Sequence, residues 1–374
     1  MAKTDNRRMA ARRRAVMRKV KAGRADALLV TREEDVGYLS GFTGEDSFLL
    51  LARGRAALLT DGRYGEQARR ECAGLEVIVR DGAMSTVVAR AVKERGIRRL
   101  AVQSEDVTLL QREMLAKRLC GCKLVSMRGV VSGRRTVKDQ GEIAAIRKAI
   151  RVAERAFRKL LAAGAEGLVG RSENDLAGEL EYLMRLEGAS AASFETIVAV
   201  GPHSSLPHHR PGKARIRRDQ VVLIDWGAEV DGYCSDLTRV VAVGRIPPKL
   251  ADVYEVVLRA QQAGIDAIRP GVATGTPDGA ARAVIESAGY AAGILHSLGH
   301  GIGREVHEPP GLGRAAKAGR GSPRLRSGMV VTVEPGVYLP GLGGVRIEDD
   351  VLVTPGGARR LSTLPRSLKA MTLE

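Results

Sequence analysis

The sequence predicts two domains: an α/β domain over residues 1–135, and an α+β domain over residues 136–374 made of two halves of similar plan. Three observations carry this. A chain of 374 residues exceeds what one ordinary hydrophobic core supports. Its first third alternates short apolar runs with helical periods. Beyond residue 140, an order of two helices followed by a β region occurs twice.

In the first domain, a basic helical stretch, RRMAARRRAVMRKVKAGR, precedes DALLV at 26–30. That run and SFLLLARGRAALLT (47–60), LEVIV (75–79), RRLAVQS (98–104) and KLVSM (123–127) read as strands. The second of them folds into a hairpin at Arg53-Gly54. Helical periods near 84–95 and 107–120 separate the later strands. After VSGRRTVKDQG a long amphipathic helix begins, with Ile143, Ile146, Ile150, Ala153, Phe157 and Leu160 spaced three and four apart. A second helix starts at Ser172, whose hydroxyl can cap it. The β region VVLIDWGAEVDGYCSDLTRVVAV spans 221–243. A helix from about Leu250 to Ile268 follows, then one capped by Thr276 with Pro277 at its first position, and a final β region runs from Val330 to Val353.

Composition excludes several classes of function. There is no apolar run approaching the ~20 residues of a bilayer span, and no apolar segment follows the basic amino terminus to act as a signal peptide. The expected location is therefore cytoplasmic. Four scattered cysteines suggest neither a disulfide framework nor a zinc site. A net charge of +17 would attract polyanions. With 3% aromatic residues and no nucleic-acid-binding motif, the expected partner is nevertheless not a nucleic acid. No G-x-G-x-x-G follows a strand, so no dinucleotide site is expected.

The chemistry gathers around acids attached to apolar strands. Asp231-Gly232 favours a two-residue hairpin loop, which pairs Asp225 with Thr238 and Asp236 with Gly227. Asp225 and Asp236 then share one face as diagonal neighbours. In the second β region VVTVE ends at Glu334, and GVRIED presents Glu348. A carboxylate at the end of a buried strand needs a hydrogen bond, a partner or a cation, and four such acids suggest one shared cation site. Bridging carboxylates can hold two divalent ions roughly 3.5–4 Å apart. The stretch HSLGHGIGREVHEPP (296–310) holds three of six histidines. His300 lies among glycines that let backbone approach a site closely. The Glu of H-E-x-x-H is missing, which excludes a zincin.

This order of Asp, Asp, His, Glu and Glu, in IDWGAEVDGYCSDLTR, GHGIGREVHEPP, TVEPGVY and GVRIEDDVLVT, resembles the pita-bread metallopeptidases, which include methionine aminopeptidase, aminopeptidase P and prolidase. SFETIVAVGPHSSLPHHRP, YLSGFTGEDSFLLL and LLTDGRYGEQA are similar to the Xaa-Pro peptidase and creatinase branch, so the resemblance covers residues 24–368. It implies a pita-bread catalytic domain behind a creatinase-like amino-terminal domain. It also implies metal ligands Asp225, Asp236, His300, Glu334 and Glu348, with Asp236 and Glu348 bridging. Glu334 would also move protons, His208, His296 and His307 would be active-site histidines that do not bind metal, and Arg346 would support a ligand carboxylate. The implied activity is a Xaa-Pro aminopeptidase in which water between two ions attacks a peptide bond before proline. A Xaa-Pro dipeptidase is the alternative, and a metal-free binding homologue a third reading. Ligand hardness suits manganese, with cobalt or zinc as alternatives and iron left open; the implied assembly is a homodimer. His209 and Arg304 depart from the family pattern, and they bear on the width of the pocket and the charge at its entrance.

Overall fold

The computed structural model describes residues 3–314 and 323–374. The chain divides into two compact units, Met1–Arg135 and Thr136–Glu374. The first unit holds a six-stranded sheet in the order Glu76–Val79, Arg55–Thr60, Phe48–Ala52, Ala27–Val30, Arg99–Gln103, Lys123–Met127. Phe48–Ala52 runs antiparallel to both neighbours, and the remaining pairs are parallel. Apolar clusters cover both faces, which is why these strands read as continuous apolar runs rather than alternating ones. The hairpin loop falls at Arg53-Gly54, between the paired Ala52 and Arg55. Two short helices that periodicity did not reveal, Glu33–Ser40 and Gly65–Glu71, are too brief to show a helical period. The basic helix Lys3–Ala22 spends part of its charge internally. Arg12 donates to the Tyr38 carbonyl and stacks 3.9 Å above its ring, and Arg13 donates to the Leu39 carbonyl.

The second unit begins with helix Gln140–Leu160, fixed at its start by a reciprocal cap between Asp139 and Glu142. Its apolar stripe packs on Trp226, whose ring stacks on Phe157 at 4.2 Å and whose N–H donates to the Ala153 carbonyl. Helix Glu173–Leu186 is capped by Ser172 together with Asp175. Strands Ile197–Val200, Gln220–Trp226 and Leu237–Val243 are antiparallel neighbours in the first sheet, which Thr372–Leu373 joins in parallel at its edge. Helices Pro248–Asp266 and Gly275–Ser287 precede the second sheet, in which Val330–Val333 pairs with Asp349–Thr354. One boundary differs from expectation. The last of these helices is preceded by Thr274 and begins at Gly275, so Thr276 lies inside the first turn rather than capping it. Proline is tolerated anywhere in a first turn, where its missing N–H would be unpaired anyway, so Pro277 does not fix the boundary.

No helix among the described residues is long and apolar enough to cross a membrane. All four cysteines are free: Cys72 and Cys234 are buried, while Cys120 is exposed. Burial pushes the Cys72 thiol up to about 11 and the Cys234 thiol up to about 12. Thiolate chemistry needs both ionisation and access. We therefore expect iodoacetamide at pH 8 to alkylate Cys120 in the native protein while sparing Cys72 and Cys234. Peptide mass mapping that found Cys234 labelled as fast as Cys120 would contradict this burial.

Candidate metal centre

In each half of the second unit, a strand delivers an acid at its end and a second acid stands directly before the returning strand. Asp225 sits in Gln220–Trp226, and Asp236 immediately precedes Leu237–Val243. Glu334 follows Val330–Val333, and Glu348 immediately precedes Asp349–Thr354. Asp225 pairs with Thr238. The turn between the first two strands has Asp231 at φ 54° and Gly232 at φ 71°, the two positive values that a type I′ loop requires.

The two halves meet through reciprocal bonds two residues past each acid. Asp236 N–H donates to Asp350 Oδ2 at 3.2 Å, Glu348 N–H donates to the Thr238 carbonyl, and Thr238 Oγ1 donates to Glu348 Oε2 at 2.6 Å. On the opposite strand face Arg239 pairs with Asp349, both wholly buried, and donates to the Glu348 carbonyl. That clamp fixes the backbone carrying Glu348.

His300 lies in the short strand Gly299–Gly301. A Cβ on Gly299 would come within 2.2 Å of the Thr332 carbonyl, and one on Gly301 within 2.4 Å of the Pro309 carbonyl. No larger residue fits this approach. His300 Nδ1 contacts the Gly301 carbonyl at 3.1 Å, and since a carbonyl only accepts, Nδ1 carries the proton. Burial, joined by His307, lowers the ring to about 4, so it is neutral. Its Nε2 lone pair therefore faces Glu334 Oε1 at 3.4 Å and Asp236 Oδ2 at 3.6 Å. Lone pair against carboxylate oxygen is unfavourable unless a cation, or a proton on the carboxyl, lies between.

The carboxylates show the same need. Asp225 Oδ1, Glu348 Oε1 and Asp350 Oδ1 are buried without a hydrogen-bond partner. Burial pushes Asp236 well up, and Glu348, Asp225, Glu334 and Asp350 around it push further. Glu348 is raised by burial and by Glu334 and Asp225. Burial raises Glu334 to about 8 although Arg346 opposes it. Asp236, His300 and Glu348 each offer a ligand atom within 4.8 Å of the others. Hard oxygen donors with one imidazole fit divalent cations such as manganese, and the unpaired buried oxygens fit them as well.

Arg346 is the counter-charge inside the cluster. Its Nη2 donates to Asp225 Oδ2 at 2.5 Å, Nε to Thr238 Oγ1 and Nη1 to Tyr338 OH at 2.7 Å. Tyr338 OH contacts His296 Nε2 at 2.8 Å, and His296 Nδ1 contacts the Ser297 carbonyl. Because arginine only donates and the carbonyl only accepts, the chain has one polarity, from Arg346 through Tyr338 to His296. Burial holds His296 near 4, its neutral form. His208 and His307 are exposed and line the same cavity of about 570 Å³ as Asp225, Asp236, His296, His300, Glu334, Arg346 and Glu348. The His307 ring lies 4.2 Å from that of His300.

All nine residues singled out from the sequence thus border one cavity. Sequence reasoning missed Asp350, Tyr338 and Thr238. Asp350 was accessible by the two-residue period that puts it on the face of Glu348. His209 borders the cavity, but its Nε2 is committed to Glu173 Oε2 at 2.9 Å. Arg304 is not among the cavity's lining residues; its guanidinium lies over the Tyr233 ring at 5.5 Å, beside Gly232.

Residues 144–355 match the model of metallopeptidase family M24, and residues 12–137 that of the creatinase/prolidase N-terminal domain. The chain is 39% identical to the uncharacterized peptidase YqhT of Bacillus subtilis, covering 92% of this chain and 95% of that protein. It is 35% identical to a Xaa-Pro dipeptidase of Pyrococcus horikoshii over 92% of this chain and 94% of that one. Among solved structures, a Xaa-Pro dipeptidase from Bacillus anthracis superposes with a TM-score of 0.90 at 36% identity, covering 96% and 99% of the two chains. An X-Pro aminopeptidase from Thermotoga maritima gives 0.84 at 37% identity over 94% and 99%.

Proposed function

Because the chain belongs to metallopeptidase family M24, with a creatinase-like domain ahead of its pita-bread domain, we propose that it is a metal-dependent exopeptidase cutting between an N-terminal residue and a following proline. The observation that carries the reading is the buried cluster of Asp225, Asp236, Glu334, Glu348 and neutral His300 around one cavity, with oxygens that have no protein partner. In this reading Asp225, Asp236, His300, Glu334 and Glu348 would together hold two divalent ions. Such ions polarise a scissile carbonyl and acidify water.

The side chains divide the remaining work. Arg346 fixes Asp225 and, through Tyr338, the orientation of His296. Glu334 Oε2, 3.9 Å from His296 Nδ1, holds a proton and returns it to the leaving nitrogen. His307 and His208, exposed on the cavity wall, donate to the peptide carbonyl and the chain beyond it. The apolar Phe194, Ile197 and Pro207 suit a proline ring, which offers no N–H to satisfy.

The aminopeptidase form is our first reading, because the cavity runs out to Glu195 and Arg210, whose side chains are 69% and 85% exposed. A chain continuing past proline has room there. The names of the Pyrococcus horikoshii and Bacillus anthracis relatives favour dipeptides as the second reading. Manganese as the native metal, a homodimer and a cytoplasmic location complete the proposal. Gly-Pro, Gly-Pro-Leu and Met-Ala-Ser should be compared with 1 equivalent and excess Mn²⁺, chelated protein serving as the blank. Metal-dependent release of glycine from Gly-Pro-Leu is expected; cleavage confined to Gly-Pro selects the dipeptidase, and preference for Met-Ala-Ser overturns the proline reading.

A further inference from the structure

Outside the metal cluster, a second group of titratable side chains is built around Glu173, whose side chain is 0% exposed at the start of helix Glu173–Leu186. Its carboxylate takes four donors. Val200 N–H and His203 Nδ1 reach Oε1 at 2.9 and 2.8 Å, and Gly212 N–H and His209 Nε2 reach Oε2, both at 2.9 Å. Burial pushes this carboxyl up, but the four hydrogen bonds outweigh it and hold it below its usual range. Its donors lie at both ends of the segment 200–212 and at two points within it.

The middle of that segment is a turn aimed at the cavity. His209 N–H donates to the Leu206 carbonyl at 3.1 Å, closing a four-residue turn with Pro207 and His208 at its centre. Proline is favoured at the first central position because its φ is already set. Pro207 and His208 both border the cavity, and the Pro207 carbonyl lies 3.5 Å from Arg346 Nη1. The closing residue of the turn, His209, is the one whose ring is pulled back onto Glu173.

We propose that Glu173, acting through His209 and His203, is a positioning residue for substrate: it clasps the 200–212 segment so that the Pro207-His208 turn is presented to the peptide. This rests on the peptidase reading of the neighbouring cavity, but the clasp itself stands on its own contacts. The same three side chains offer ligand atoms within 4.8 Å of one another, the spacing a transition metal would need. The geometry favours the clasp. The two imidazoles are tilted against each other, with centroids 4.6 Å apart and planes 35° apart, and their hydrogen-bonded nitrogens address different carboxylate oxygens. Each oxygen also accepts a backbone N–H, so the four donors already satisfy the carboxylate.

A double-mutant cycle tests the proposal, because coupling is expected only if His209 works through His208. In the metal-loaded protein, His209→Ala should lower kcat/KM for Gly-Pro-Leu by about tenfold, mainly through KM, and His209→Gln, which restores an N–H donor, should recover most of it. In a His208→Ala background His209→Ala should cost less than about twofold more. A further full tenfold loss there would overturn the proposal, as would an unchanged KM in His209→Ala. Hydrogen exchange read by mass spectrometry, without substrate, separates this from the peptidase reading: Glu173→Gln should deprotect the peptide spanning 200–212 and leave that spanning 330–353 unchanged. Unchanged exchange at 200–212 refutes the clasp even if Gly-Pro-Leu is cleaved. Deprotection in a protein that cuts no proline peptide would keep the clasp and refute its link to substrate. Zn²⁺ titration of the manganese-loaded wild type supplies the last check, since one further ion bound, and lost in His203→Ala, would replace the clasp with a metal site.

Discussion

Asp236→Ala is expected to lower kcat/KM for a Xaa-Pro peptide by at least about a thousandfold, roughly 4 kcal/mol of transition-state stabilisation, without unfolding the protein. The physical reason is the crowding around this residue. In the metal-free chain its carboxyl is buried among Glu348, Asp225, Glu334 and Asp350, each of which disfavours its charge. Removing it relieves repulsion, whereas removing one side of a buried ion pair leaves a charge stranded. Its backbone bond to Asp350 survives the substitution. The melting temperature of the chelated variant should therefore equal or exceed that of the chelated wild type, while metal content after manganese loading falls. Asp236→Asn, of nearly the same shape, separates volume from charge and should lose activity to a similar degree. Activity within tenfold of wild type in either variant, at unchanged metal content, would sink the two-ion scheme.

What made Asp236 readable in the sequence is the rigidity of a two-residue hairpin. Once Asp231-Gly232 is taken as the loop, every pairing follows, and Asp225 opposite Thr238 is the observed register. The second β region turns instead through three residues between the paired Leu339 and Gly343, so no two-residue loop sets the register of Glu348 and Asp350. Other features carry no local signal. Glu173 reads as one more acid in a first helical turn, where acids are common, and nothing nearby says that Val200, His203, His209 and Gly212 return to it. Arg304 was expected at the cavity entrance because it adjoins the GHGIG run. Its direction is set instead by a long-range contact: Cys234 N–H donates to the Gly303 carbonyl, which brings the Tyr233 ring beneath the guanidinium. Periodicity reports which face of an element is buried, but not what lies opposite a loop.

Chelation should make the protein's stability fall as pH rises from about 7.5 to about 8.5, and manganese should reverse the trend. Glu334 has a folded value of about 8 against an ordinary 4.5, with burial as the chief cause; Asp236, Glu348 and Asp350 are likewise raised. For such groups the folded chain binds the proton more tightly than the unfolded one. The stabilisation is fully present below about 4.5 and is lost as pH climbs toward the folded value. The buried histidines act in the opposite direction. His296 and His300, both lowered to about 4, and His307, also lowered by burial, add stability as pH rises until about 7.5, a unit above the ordinary imidazole value, where the unfolded rings have lost most of their protons. Above about 7.5 the carboxylates dominate, so the window from there to about 8.5 isolates them. Divalent ions compete with those same protons, and their affinity grows as the acids ionise. At a hundredfold excess over Kd one site adds about 2.7 kcal/mol, several degrees of melting temperature for a domain of this size. Scanning calorimetry at pH 7.5, 8.0 and 8.5, with EDTA and with Mn²⁺, reads both slopes. A chelated protein whose melting temperature rises across that range would mean that the acids are already neutralised by the protein itself, leaving no electrostatic demand for ions.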